Sequence, residues 1–98
     1  MNTIEPGDAV VVERVQTGIR VEKRLLKVLK ALAELKDLTL GDLLEGIVLH
    51  SFEGKAPFSP QTLAEISKLK EIYGLTLCAG DSHHLQEGIG EQGSGVRG

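Results

Sequence analysis

The chain is short of most things that would let 98 residues fold tightly alone. Aromatic residues make up 3% of it, with no tryptophan and only Phe52, Phe58 and Tyr73, so burial must rest on Leu, Ile and Val. At roughly 25 cal/mol per Å² of apolar surface such a core is modest, and small domains of this kind commonly lean on a partner copy. The single cysteine, Cys78, excludes an internal disulfide and a thiolate-built zinc site, and it fits a reducing compartment. No apolar run approaches the 18 or so residues of a membrane span. Met1 to Ala9 carries acids and Pro6-Gly7 where a secretion signal needs positive charge and then an apolar core. The expectation is a soluble, cytoplasmic protein with no membrane contact. Excess positive charge is missing too: 11 Lys and Arg face 14 Asp and Glu, a net −3, which speaks against indiscriminate coating of nucleic acid.

What is present is unevenly placed. Arg14, Arg20, Lys23, Arg24, Lys27 and Lys30 fall in one segment against the single acid Glu22, and the surrounding chain is acidic. Residues 11 to 21 alternate, with Val15, Thr17, Ile19 and Val21 on one side and Arg14, Gln16, Gly18 and Arg20 on the other, which predicts a strand. From Glu22 the period changes: Leu25, Val28, Leu29, Leu32 and Leu35 recur at helical spacing to about Lys36. Thr39 with Asp42 three residues on is a variant of the capping box, opening a helix from Leu40 to Phe52 that is apolar almost all round. After a linker at 53–58, Ser59-Pro60 reads as N-cap and first turn of a third helix, and Gly74 as its left-handed C-cap. Leu75 to Cys78 is a short apolar, extended segment. The chain thus divides into a flexible N-terminal arm at 1–10, a dimerising domain at 11–52, the linker, a C-terminal unit at 59–78 and a glycine-rich, disordered tail at 79–98.

A lone strand is unstable, and one strand with one helix cannot enclose Leu40 to Phe52. Two chains pairing their strands antiparallel would supply the missing floor. In this order of strand, helix, short turn and apolar helix, the sequence resembles the ribbon-helix-helix repressors, the MetJ, Arc and CopG class. Its carriers are Val15 to Val21, the helix containing Leu29-Lys-Ala-Leu-Ala33, and Leu38-Thr-Leu-Gly-Asp-Leu-Leu44. The resemblance covers about 40 residues by count of the sequence.

The resemblance implies a mainly α fold: an intertwined homodimer on a two-stranded antiparallel β-ribbon, with an additional C-terminal helix. Its dimer core comprises Val15, Thr17, Ile19, Val21, Leu29, Leu32, Leu44, Ile47 and Val48. The implied function is a DNA-binding transcriptional regulator reading the major groove of double-stranded DNA with Gln16, Gly18 and Arg20, although Gly18 offers no side chain. Arg can pair with guanine and Gln with adenine, each pairing discriminating by about 1 to 3 kcal/mol. Arg14 and the backbone of Leu40, Gly41 and Asp42 are the expected phosphate contacts, Asp42 bringing an opposing charge. Lys23 and Arg24 join them, since cations at a helix start oppose its dipole and an external anion relieves that. The alternative is an antitoxin-like module that dimerises and binds a protein partner through 59–78 without touching DNA.

Catalysis and metal binding are not expected. Asp81-Ser82-His83-His84, with His50 or Cys78, lacks the ligand count on a rigid frame that first-row metals require, and its consecutive residues cannot take up a nucleophile-base geometry. No cofactor is implied.

Overall fold

The computed structural model describes residues 9–88. Three helices follow an extended arm: α1 (Lys23–Leu35), α2 (Leu40–Phe52) and α3 (Pro60–Tyr73), with one 3₁₀ turn at Ala79–Asp81. Each helix starts on a side chain that satisfies an otherwise orphaned amide. Glu22 accepts from Leu25 N at 2.8 Å, Thr39 Oγ1 from Asp42 N at 3.0 Å, and Ser59 Oγ from Thr62 N at 3.1 Å. Pro60 occupies the first turn of α3, where its missing N–H costs nothing.

The three helices also stop in one way. After each, a residue with positive φ is followed by an amide that reaches back five residues: Leu38 N to Ala33 O at 2.9 Å, Lys55 N to His50 O at 2.8 Å and Leu75 N to Lys70 O at 2.9 Å. The residues in the left-handed turn are Asp37, Gly54 and Gly74. This is the Schellman arrangement, and glycine serves it best because no Cβ meets the following carbonyl. Leu75, delivered by that turn, is buried, and so the short segment after α3 is tied to the helical body.

Helix α1 is the shared element, packing against both α3 and α2. It runs antiparallel to α3: Lys36 at its end meets Glu65 near the start of α3 at 2.9 Å, and Arg24 at its start lies against Gly74. Leu32, Ala33 and Leu43 form the core, with Leu29, Ile47, Phe58, Ile66 and Leu69 packed around them. Leu32 at 1% exposure is the most enclosed. The residues packed on this cluster come from all three helices and from Phe58 in the linker, so the cluster unites the unit.

The expected ribbon-helix-helix architecture is not found, although the mainly helical class is. Among the described residues there is no β-strand, hence no two-stranded antiparallel ribbon and no intertwined homodimer built on one. Residues 9–22 form neither helix nor strand, 9–21 face solvent, and among the described residues the arm joins no backbone hydrogen bond until Glu22 O accepts from Leu26 N. Alternation specifies which faces differ in polarity, but a ladder also needs a neighbouring backbone, and the described chain offers none. The expected apolar floor is therefore open, with Val15 at 78% and Ile19 at 71% exposure, and Thr17 and Val21 exposed as well. Of the expected arm at 1–10 and disordered tail at 79–98, residues 1–8 and 89–98 lie outside the described residues, while the first part of the tail forms the 3₁₀ turn at Ala79–Asp81.

Two substitutions check this account by urea denaturation. Leu32→Ala is expected to cost about 3 kcal/mol through lost burial and the cavity left behind. Gly74→Ala is expected to cost about 1 kcal/mol through strain at positive φ, and an unchanged midpoint there would remove the turn from the account.

Candidate nucleic-acid interface

The basic segment divides into two parts in space. Its first part, the arm, carries two guanidinium groups, and both are engaged. Arg14 places its fork on Glu45, Nε to Oε2 and Nη2 to Oε1 both at 2.8 Å, while Nη2 also meets Asp42 Oδ1 at 3.1 Å. Glu45 and Asp42 sit one turn apart on α2, so a planar donor set spans both. The hydrogen bond with Glu45, then its charge, raises the Arg14 pKa above its already high ordinary value. In return the Arg14 hydrogen bond holds the Glu45 carboxyl below the usual carboxylate range, against a smaller opposing effect of desolvation. Arg20 pairs with Glu87, far along the chain, through a single contact from Nη2 to Oε2.

These contacts decide the fate of several expected site residues. Asp42 does not fold back on Thr39; its backbone N–H completes the cap while its carboxylate turns to Arg14. Gln16 and Gly18 lie exposed on the arm between the two anchored arginines. Leu40 and Gly41 open α2 beside Asp42, and a Cβ on Gly41 would meet only Thr39 Oγ1, at 3.9 Å. Of the expected dimer core, Leu29, Leu32 and Ile47 belong to the core within one chain, and Leu44 is half-buried. Val48 remains exposed beside Leu49 and Phe52.

The second part of the basic segment is α1 itself. Lys23, Lys27 and Lys30 are exposed, and at 100° per residue they fall within one narrow arc opposite Leu32, with Arg24 on its flank. Among the described residues none of these four cations is in an ion pair. Over seven residues the row extends about 10 Å along the helix. The result is a linear set of positive charges in open solvent, ended one turn beyond Lys30 by the exposed Glu34 on the same face.

Glu45 and Glu87 were not foreseen as part of this region. Their separations from Arg14 and Arg20 are 31 and 67 residues, and no periodicity in the sequence signals a pairing at that distance. At the other end of the chain Asp81 closes its own turn, accepting from Cys78 N at 2.8 Å. Among the described residues no three His, Cys, Asp or Glu side chains converge as metal ligands, and no helix is long and apolar enough to cross a membrane.

No protein-family model, no curated protein and no solved structure matches the chain. The reading of this region therefore rests on its geometry and charge.

Because the Glu45 pKa is depressed in the folded chain, the Arg14 tether is complete above the ordinary carboxylate range and is lost as pH falls through the lowered value. Acid titration followed by the Arg14 Nε–Hε resonance is expected to show that loss, and Glu45→Gln is expected to shift the resonance at neutral pH and flatten its titration. A wild-type resonance that ignores acid would show that the tether does not form.

Proposed function

We propose that the protein is a self-associating, DNA-binding regulator that meets the phosphate backbone along α1. The observation that carries this reading is the row Lys23, Lys27 and Lys30 with Arg24 beside it, exposed and free of ion pairs among the described residues. The phosphates of a duplex form a regular line of negative charge, to which a row of cations about 10 Å long can be presented. A chain with net charge −3 has no general attraction to polyanions, which makes binding depend on how this one face is presented.

Self-association is the second half of the proposal. Leu49 at 63% and Phe52 at 81% exposure stand with Val48 on the side of α2 that α1 does not cover. A second copy laying the same face against them in a two-fold arrangement removes that apolar surface from water and doubles the basic row. Each such side chain, fully buried, contributes about 1.5–3 kcal/mol.

One observation favours a different reading, a protein-binding module that never touches DNA. Arg14 and Arg20, the arginines best suited to base or phosphate contact, are occupied by the chain's own acids. Salt separates the two readings. Bound phosphates release counterions, so affinity for a labelled duplex is expected to fall linearly in log–log form with salt, with Lys27→Gln and Lys30→Gln each reducing the slope by about one. Absence of duplex binding at low salt sinks the DNA reading and leaves the module.

Sedimentation tests the association. Wild type is expected to run as a dimer at micromolar concentration and Leu49→Asp with Phe52→Asp as a folded monomer of unchanged helicity; a monomeric wild type refutes this part.

A further inference from the structure

We propose that the chain's own carboxylates sheathe the arm: Asp42 and Glu45 on α2 occupy the Arg14 fork, and Glu87 beyond the 3₁₀ turn engages Arg20, where a phosphate backbone would otherwise bind. The inference rests on the DNA-binding reading and adds a regulatory contact to it.

Three observations converge. First, Arg14 and Arg20 are the ion-paired residues of the arm, and they tie it to different parts of the chain, one to α2 and one to the segment following α3. Between them the arm has no backbone hydrogen bond to the helices among the described residues, so these side chains govern its position. Second, the geometry at Arg14 is that of a phosphate site already filled. Two parallel N–H donors meet two oxygens of one carboxylate, the arrangement by which Arg also takes hold of phosphate. Third, all the groups are in open solvent: Arg14 is 61% exposed and Glu45 46%, Arg20 81% and Glu87 61%. Exposed pairs are weak and screened by salt, so they hold the arm without locking it. A duplex brings a continuous line of charge and an entropic gain from released counterions that single carboxylates cannot match. By contrast Lys36 and Glu65 are both less exposed and join α1 to α3, and Lys55 pairs with Glu53 two residues away; neither pair holds the arm.

The experiment uses the full chain and fluorescence anisotropy with a labelled mixed-sequence duplex. Glu87→Gln is expected to tighten binding roughly two- to fivefold, the weight of one exposed ion pair, and Asp42→Asn with Glu45→Gln by at least as much. Glu53→Gln removes the same charge from an acid that does not touch the arm, and it is expected to change affinity less than about twofold. Equal tightening in all three reduces the effect to net charge and overturns the sheath, as does no tightening in either arm variant. A second measurement needs no DNA: ¹⁵N relaxation of residues 10–21 is expected to report faster motion once Asp42 and Glu45 are neutralised. Relaxation unchanged from wild type overturns the sheath, whereas freed arms with no duplex binding by any variant leave the sheath standing and remove the DNA reading.

Discussion

Everything ordered in this chain depends on α1 lying between two helices with Leu32 at the centre. α2 and α3 each pack on α1, and the inward residues Leu43, Ile47, Ile66 and Leu69 meet around it with Phe58 from the linker. A helix used on both flanks leaves its remaining face to water, and that face carries Lys23, Lys27 and Lys30, with Glu34 one turn beyond them. The basic row is therefore a consequence of the packing: once Val28, Leu32 and Ala33 turn inward, the lysines opposite them face water.

The same arrangement explains what remains uncovered. α2 meets α1 along one stripe, yet its sequence is apolar almost all round, so Val48, Leu49 and Phe52 face water in the single chain. The arm behaves alike, with an apolar side that no described residue covers. A chain of so few aromatics has little core to spare, and such surfaces are the ones the proposed association would cover. The electrostatics of the arm obey a different rule. Its arginines find carboxylates across long separations, in solvent, where Coulomb attraction is weak and reversible.

Much of the helical architecture was legible because its signals are local. Thr39 and Ser59 are N-caps, Gly74 is a C-cap, and α2 spans Leu40 to Phe52, as hydroxyl capping and apolar spacing indicate. The left-handed turn at Asp37 is less conspicuous, since aspartate takes that conformation only where the surroundings demand it. The strand reading of 11 to 21 failed for a physical reason. Alternating side chains describe a ribbon with two unlike faces, but hydrogen bonds to a neighbouring backbone make it a strand, and the described chain has no such neighbour. The site was half legible. Arg14, Arg20, Lys23 and Arg24 stand out by charge, whereas Glu45 and Glu87 enter only through contacts across 31 and 67 residues.

By itself, then, the order of residues determined where helices begin and end, which side of α1 is apolar, and that positive charge gathers between residues 14 and 30. These follow from capping chemistry, period and composition, each acting over a few neighbours. Only the tertiary structure decided that α1 is the common partner, that the arm runs free of backbone pairing among the described residues, and that its arginines rest on Asp42, Glu45 and Glu87. Those outcomes depend on which distant groups the packing of Leu32 brings within a few ångströms, a matter of position in space that no local pattern encodes.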